Sequence, residues 1–460
     1  MQEETTVAAI ATPQGMGGVG LIRISGPASR GVLKSLWKNQ TKSVDKFVTH
    51  RLYYGNFIDP STGEIVDKGL AVWMQAPHSY TGEDVVEIQV HGSPLVLEKI
   101  LQGCLKAGAQ PAGPGEFTKR AYLNGKIDLA QAEAVADLIA SSSEEGLKQA
   151  KEHLAGRLSA RIKEFQDELV RLRAFVEASI DFPDEDIELI QKEGILGRLQ
   201  PIRAAIAGLL ATYQEGRIHR EGVKTVLAGR PNVGKSSLLN ALVGQDRAIV
   251  HRRPGTTRDV IEETCQFGGV LFHLFDTAGM RPNAKGVEAI GVKKSEDLLG
   301  EADLVLWVLD GSTAMKKEDI EFLSSLNLSQ TIVCVNKLDL GLRWKPDSML
   351  LSKDKKYLAL ISALRGDGLR GLQEMMADWV QRQRPRDGNS VRIAKLRHQR
   401  ILERAGQQLQ SAAKMLAESP RVELIALHLQ KAHEALGEIT GSNMSEDLLD
   451  AIFREFCIGK

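Results

Sequence analysis

The chain has 460 residues, of which 43% are hydrophobic, and its formal net charge is zero. This length predicts about three domains, and the hydrophobic content suffices for ordinary buried cores. A net charge of zero excludes a whole-chain field that attracts nucleic acid, so any RNA partner must be met by a local patch.

The four cysteines, Cys104, Cys265, Cys334 and Cys457, are scattered, with neither a CxxC pair nor a histidine cluster at ligand spacing. This favours reduced thiols in a cytosol and argues against a structural zinc site. The start of the chain has no basic n-region and no Arg-rich amphipathic helix. No apolar run reaches membrane-spanning length. We therefore expect a cytoplasmic protein with no membrane partner.

Residues 1–118 contain short β-like runs, such as "GLIRIS" and "DVVEIQVHG", punctuated by Gly and Pro, which predicts a small α+β domain. Residues 119–217 form the first part of a helical domain. One apolar stripe predicts a single long amphipathic helix through Leu154, Leu158, Ile162, Phe165, Leu169, Leu172 and Val176. Pro183 ends this helix, and a further helix runs to about residue 217.

Residues 218–382 alternate buried strands with helices, which predicts a parallel, doubly wound α/β sheet. The strand runs are "KTVLAG", "VLFHLFD", "ADLVLWVLD", "QTIVCVNK" and "KYLALISA". "QRPRDGNS" (383–390) is a linker, and residues 383–460 resume helical periodicity. Neither helical block is long enough for a generous core. We therefore predict one helical domain that an inserted α/β domain interrupts.

The inserted domain carries a P-loop, "GRPNVGKS" (229–236), after a strand and before a helix. Gly229 and Gly234 let backbone N–H groups close around phosphates, Lys235 reaches the β- and γ-phosphates, and the Ser236 hydroxyl takes Mg²⁺. Four further motifs follow in order: "GTTRD" (255–259), "DTAG" (276–279), "NKLD" (336–339) and "SAL" (362–364). Five ordered elements predict a Ras-like G domain.

The later motifs complete the nucleotide site. Thr257 offers Mg²⁺ a second hydroxyl, Asp276 holds the metal through water, and the Gly279 amide senses the γ-phosphate. The Asp339 carboxylate matches the two donors on the guanine edge, and "SAL" covers the base. We expect the nucleotide to be bound by Asn232, Val233, Gly234, Lys235, Ser236, Ser237, His251, Arg252, Arg253, Pro254, Gly255, Thr256, Thr257, Asp276, Thr277, Ala278, Gly279, Asn336, Lys337, Leu338, Asp339, Ser362, Ala363 and Leu364.

Met280 follows DTAG, where many small GTPases carry a Gln that orients the attacking water. No arginine is obviously placed in the P-loop either. Hydrolysis therefore needs a water-positioning group and a positive charge from elsewhere. Asn232 either coordinates a monovalent cation, together with carbonyls of the loop "AIVHRRPGTT", or only shapes the turn.

Together with "PGTTRD", "DTAGMR", "SYTGEDVVEIQVHG", "GEFTKRAYLNGKIDLAQAEAV", "DFPDED" and the terminal "CIGK", these features make the chain resemble the MnmE (TrmE) family of tRNA uridine modification GTPases. The resemblance covers nearly the whole chain. It implies an α/β Ras-like G domain inserted in an all-α helical domain. An α+β folate-binding and dimerisation domain precedes them.

The resemblance also implies site residues. Arg23, Glu87, Lys126 and Lys460 would contact 5-formyl- or methylene-tetrahydrofolate, and Cys457 would act in catalysis. Asn232 would act in catalysis by holding K⁺ together with His251, Arg253 and Thr256. Glu288 would orient the hydrolytic water indirectly. "HRR" (251–253) stands where the family usually has Thr, Asp and an aliphatic residue, which puts the K⁺ affinity in doubt.

The implied activity is GTP-driven tRNA modification. A homodimer would join an MnmG/GidA-like flavoprotein, which carries FAD, in a heterotetramer. Together they would add an aminomethyl or carboxymethylaminomethyl group to C5 of the wobble uridine, with the folate supplying the one-carbon unit. The alternative is a GTP-dependent RNA-binding or ribosome assembly switch without carbon chemistry, and folate binding separates the two. Five basic residues lie early in the last helical block, and we expect them to form a solvated helix face rather than a tRNA-binding surface. They are Arg392, Lys395, Arg397, Arg400 and Arg404.

Overall fold

The computed structural model describes residues 5–39, 43–181, 188–245, 262–276, 298–325, 327–344, 357–382, 391–418, 421–442 and 444–460. The chain forms two compact units. One comprises Met1–Ala136, His153–Gln166 and His433–Lys460, and the other comprises Asp137–Glu152 and Asp167–Ala432.

The strands of the described residues are β1 (Val7–Ile10), β2 (Gly17–Ser25), β3 (Trp37–Lys38), β4 (Leu52–Ile58), β5 (Ile65–Met74), β6 (Val85–Gly92), β7 (Gln110–Pro111), β8 (Val223–Ala228), β9 (Glu262–Phe267), β10 (Val270–Asp276), β11 (Leu304–Asp310), β12 (Thr331–Asn336) and β13 (Leu358–Leu360). The helices are α1 (Ser29–Leu36), α2 (Pro94–Lys106), α3 (Glu116–Leu123), α4 (Leu129–Ala140), α5 (Glu144–Leu154), α6 (Arg157–Asp181), α7 (Glu188–Ala211), α8 (Tyr213–Glu221), α9 (Lys235–Gln245), α10 (Lys317–Ser325), α11 (Leu369–Arg382), α12 (Leu396–Glu418), α13 (Val422–Thr440) and α14 (Glu446–Phe453).

The first unit is built on a seven-stranded sheet with the order β3-β4-β5-β6-β2-β1-β7. Residues of β2 alternate between faces: Ile22 and Ile24 are fully buried, whereas Arg23 between them is half-buried. Helices α1 and α2 pack on the buried face and complete its core with Leu33 and Ile100. The predicted α+β fold of this part is confirmed. Arg23 lies on the opposite face, where Phe117 covers Val7 and Ala9 of β1, whereas Leu52 and Tyr54 of β4 are exposed.

The second unit contains the six-stranded sheet β13-β12-β11-β8-β10-β9. The strands from β13 to β10 are parallel, as predicted, but β9 pairs antiparallel with β10 at the edge. Prediction of a purely parallel sheet was therefore wrong at this edge. The sequence of β9, "EETCQF", lacks the continuous apolar run of a strand buried on both faces. The P-loop, DTAG, NKLD and SAL motifs lie at the carboxyl ends of β8, β10, β12 and β13, the edge where ligands bind in open α/β sheets.

Helix α7, which precedes the inserted sheet in the sequence, packs against α12, which follows it. This agrees with an interrupted helical domain. The predicted single long helix from Leu154 onward is wrong in one respect, since α5 ends at Leu154 and α6 begins at Arg157. Gly156 adopts φ +80° between them, a left-handed conformation that ends a helix. In the described part of the chain, no helix is both long enough and apolar enough to cross a membrane.

Candidate functional site

The P-loop is shaped by two glycines that no other residue can replace without displacement. Gly229 has φ +143°, and a Cβ atom there would lie 2.3 Å from the Val308 carbonyl oxygen. Gly234 has φ +99°, and its Cβ would lie 2.3 Å from Asn336 Nδ2. Both distances are far below van der Waals contact. The loop backbone therefore passes so close to Val308 and Asn336 that only glycine fits at these two positions.

Lys235 and Ser236 follow this loop at the start of α9. Lys235 is 5% exposed, and its Nζ donates to the carbonyls of Gly229 at 2.8 Å and Arg230 at 2.9 Å. The Ser236 hydroxyl donates to Asp276 Oδ2 at 2.5 Å, at the end of β10. A hydroxyl beside a carboxylate is the kind of oxygen donor set that Mg²⁺ takes in nucleotide sites. The geometry fits an ammonium and a divalent metal on one phosphate group.

The NKLD motif is tied directly to the P-loop. Asn336 Nδ2 donates to the Val233 carbonyl at 3.0 Å, and Asn336 Oδ1 accepts from the Ala363 amide at 2.9 Å. Asp339 Oδ1 accepts from the Ser362 hydroxyl at 2.6 Å. The P-loop, NKLD and SAL motifs therefore meet at one edge of the sheet, although 103 residues separate Asn336 from Val233.

The described residues of the predicted GTP site thus lie together, with Leu338 beginning a short 3₁₀ turn and Leu364 85% exposed beside the Asp339 loop. Ser237 is exposed on α9. The other predicted residues lie outside the described residues: His251, Arg252, Arg253, Pro254, Gly255, Thr256, Thr257, Thr277, Ala278, Gly279 and Glu288. Met280 lies outside them as well.

Sequence reasoning missed Asp310, which ends β11 as Asp276 ends β10. Asp310 Oδ2 accepts from Lys337 Nζ at 2.6 Å, and its Oδ1 accepts from the Ser312 amide and hydroxyl at 2.9 and 2.6 Å. Burial disfavours the carboxylate, but these hydrogen bonds outweigh it, so the pKa of Asp310 lies below its ordinary value. The sequence signal for Asp310 was an acidic residue at the end of a buried apolar strand, the position that Asp276 occupies in β10.

Arg230 corrects the statement that no arginine is placed in the P-loop. Its Nε donates to Asp319 Oδ1 of α10 at 2.7 Å, and Asp319 is buried. The guanidinium is thus engaged in an ion pair with α10. The conclusion that hydrolysis needs a positive charge from another source is unchanged by this pairing.

A second polar site lies on the face of the first unit's sheet that carries Arg23. Arg23 on β2 and Glu87 on β6 are direct cross-strand partners. Arg23 Nε and Nη2 donate to Glu87 Oε1 at 2.9 and 2.7 Å, and Nη1 donates to the Gly459 carbonyl at 3.3 Å. The C-terminal residues therefore reach the predicted folate residues within one chain.

The C-terminal tail, residues 454–460, is held by backbone contacts to the start of α3. Pro114 and Ile458 form an antiparallel bridge, and the Gly115 amide donates to the Cys457 carbonyl at 3.2 Å. The Phe117 amide donates to the Lys460 backbone oxygen at 3.2 Å. Just before and within the tail, Phe453 and Phe456 are buried in an apolar cluster with Leu129, Ala132 and Leu449.

The predicted folate residues differ in placement. Burial and the Arg23 guanidinium lower the pKa of Lys460, while Glu87 and Cys457 act in the opposite direction. Lys126 instead donates to the Pro77 carbonyl at 3.1 Å. Cys457 is exposed, whereas the other three cysteines are buried. Burial raises the pKa of Cys104 to about 12, which makes that thiol unreactive.

The basic residues of the last helical block are not all solvated. Arg392 Nε lies 3.2 Å from Glu215 Oε1, and Lys395 Nζ lies 3.6 Å from Asp137 Oδ1. The interpretation as a solvated helix face was wrong for these two side chains, because carboxylates of α8 and α4 pair with them.

Comparisons with known proteins cover nearly the whole chain. A family model described as the GTP-binding protein TrmE N-terminus matches residues 6–126, and one described as the MnmE helical domain matches residues 129–457. The chain is 45% identical to the tRNA modification GTPase MnmE of Moorella thermoacetica, over 99% of this chain and 100% of that protein. It is 43% identical to the protein of the same name from Heliobacterium modesticaldum, over 99% of both chains. Among solved structures, the G domain of the T. maritima FeoB iron transporter matches 35% of this chain and 99% of that chain, with 28% identity and a TM-score of 0.25.

Proposed function

The chain belongs to the MnmE (TrmE) family of tRNA modification GTPases, and we propose that it couples GTP hydrolysis to the modification of wobble uridine in tRNA, in the cytoplasm. The observation that carries this proposal is the end-to-end similarity to those enzymes, combined with the meeting of Asp276 and the described P-loop, NKLD and SAL residues at one sheet edge. The similarity of residues 6–126 disfavours an RNA-binding switch built on the G domain alone.

We propose that the sheet face that carries Arg23 binds a reduced folate, 5-formyl- or methylene-tetrahydrofolate, beside Arg23 and Glu87. Glu87 can accept from pterin N–H groups, and the Arg23 and Lys460 cations suit the folate carboxylates. Lys126 would act from a second position. The bound folate would supply the one-carbon unit. The docked tail supports this proposal, because it brings Lys460 to the Arg23–Glu87 pair and leaves the Cys457 thiol exposed.

The metal proposals follow from the donor sets. Mg²⁺ would be held by Ser236 and Thr257, and the hydroxyl and carboxylate at this point suit it. K⁺ would be held by Asn232 and Thr256 together with the main-chain carbonyls of His251 and Arg253, supplying positive charge beside the phosphates in place of an arginine. Asn232 has φ +65°, a left-handed backbone conformation that differs from that of a helical residue. Glu288 would orient the hydrolytic water.

The proposed partners are a second copy of this chain, tRNA and an MnmG/GidA-like flavoprotein that carries FAD in a heterotetramer. Dimerisation through the first unit is supported by the exposed β4 end of the sheet face that carries Arg23. Leu52, Val72, Glu87 and Arg23 form one cross-strand row on that face. Leu52 and the neighbouring Tyr54 expose large apolar side chains there, which a second copy would cover.

Deletion of the gene tests the function. We expect mass spectrometry of tRNA nucleosides to show loss of the modified wobble uridine, with ribosomal subunit profiles unchanged. A plasmid copy should restore the nucleoside, and a copy with Asp339→Asn should not. Retained modified uridine, or accumulation of ribosomal precursors with intact modification, would support the ribosome assembly alternative instead.

GTP hydrolysis is expected to be about tenfold or more faster in KCl than in NaCl at equal ionic strength, because K⁺ would replace an arginine in stabilising the transition state. Steady-state phosphate release measures the two rates. If Asn232 only shapes the turn, we expect GTP hydrolysis at equal rates in the two salts.

A further inference from the structure

We propose that Asp310 is a positioning residue for the P-loop: it fixes Lys337, which in turn fixes the Asn232 carbonyl and the conformation of that residue. In this way Asp310 would set the affinity of the monovalent cation site. The last step rests on the proposed K⁺ role of Asn232, whereas the positioning of the loop does not.

The first step is the Asp310–Lys337 contact. Strands β11 and β12 are parallel and in a register that places Asp310 opposite Asn336, one residue before Lys337. The Asp310 side chain is 10% exposed, and Ser312 holds one of its oxygens with two hydrogen bonds. The other oxygen is left to accept from Lys337 Nζ at 2.6 Å. A carboxylate fixed in this way holds the ammonium in one place.

The second step is the contact of Lys337 with the P-loop. The same Nζ donates to the Asn232 carbonyl at 2.8 Å. Asn232 and Lys337 both have left-handed backbone conformations, with φ +65° and +66°. Such conformations cost free energy in a residue other than glycine and persist only where the surroundings hold them. The Lys337 ammonium is the described contact that holds the Asn232 peptide, so losing its anchor would release that peptide.

Releasing this peptide would also change the orientation of the Asn232 side chain. A monovalent cation bound by Asn232 needs that side chain in one orientation, and the orientation follows from the backbone of the same residue. Asp310 would therefore influence cation binding without contacting the cation. It would also link the guanine motif to the P-loop, since Lys337 belongs to NKLD.

Asp310→Ala tests this proposal. We expect the K⁺ concentration for half-maximal GTP hydrolysis to rise by about tenfold, as loss of a charged hydrogen bond would produce. Asp310→Asn keeps an acceptor for Lys337 and should recover part of the loss. Independently of K⁺ and of activity, amide hydrogen exchange in the nucleotide-free protein should accelerate in the peptide that covers residues 229–236.

Asp303→Asn is the matched control. Asp303 directly precedes the same strand at its opposite end, is half-buried, and pairs with a cationic side chain as Asp310 does, in this case Arg217. We expect neither the half-activating K⁺ concentration nor P-loop exchange to change in this variant. Unchanged exchange in Asp310→Ala, or equal acceleration in Asp303→Asn, would overturn the positioning role. An unshifted K⁺ response would overturn its extension to the cation, whereas wild-type protein indifferent to K⁺ would refute the proposed cation site itself.

Discussion

Asp339→Asn is expected to exchange the preference of the G domain from guanine to xanthine nucleotides, lowering the affinity for GTP by about 10⁴-fold. The carboxylate accepts from both donors on the guanine edge, whereas an amide offers one acceptor and one donor. Xanthine carries a carbonyl where guanine carries its amino group, so the amide NH₂ can donate to it. The Ser362 hydroxyl, 2.6 Å from Asp339 Oδ1, keeps the side chain oriented in either case.

Titration of fluorescent GDP and XDP measures this exchange, with hydrolysis of GTP and XTP as the functional counterpart. Asp367→Asn is a suitable control, because it removes an exposed carboxylate from the loop that follows Ser362. Binding of GDP at the wild-type level by Asp339→Asn would mean that Asp339 does not contact the base.

The sequence predicted the parts of the nucleotide site that depend on residues close together along the chain. The P-loop needs glycines at fixed offsets, so Gly229 and Gly234 were identifiable by position alone. Asp276 ends β10 and Asp339 lies in the turn just after β12, each within a recognisable motif. Their meeting at one sheet edge follows from the parallel topology, which the alternation of strands and helices predicted.

What the sequence could not predict depends on pairing across distant elements. The Asp310–Lys337 contact needs the register of β11 against β12. The Arg392–Glu215 ion pair needs α8 and the approach to α12 to pack together. The break at Gly156 is invisible to periodicity, because apolar residues continue at helical spacing on both sides of it. In each case tertiary packing decides between local alternatives of similar free energy.

The tail gives the second large effect. Gly459→Val is expected to abolish the wobble uridine modification while leaving GTP hydrolysis intact. Gly459 has φ +91°, and a Cβ atom there would lie 2.5 Å from the Ile10 carbonyl oxygen. A β-branched residue cannot adopt this conformation without strain. The substitution should therefore release the Gly459 carbonyl from Arg23 and move Lys460 and Cys457 away from the proposed folate site.

Three measurements on one preparation separate the possible causes of such a loss. Calorimetric titration with 5-formyl-tetrahydrofolate should show weakened binding, phosphate release should show unchanged hydrolysis, and tRNA from complemented cells should lack the modified nucleoside. Ile458→Ala is the matched control, since this neighbouring side chain is 60% exposed and its loss should change none of the three. Cys457→Ser should abolish modification yet retain folate binding, because it removes the thiol and leaves the docked backbone in place. If Gly459→Val binds folate and modifies tRNA as the wild type does, tail docking is dispensable, and Arg23 and Glu87 act without Lys460.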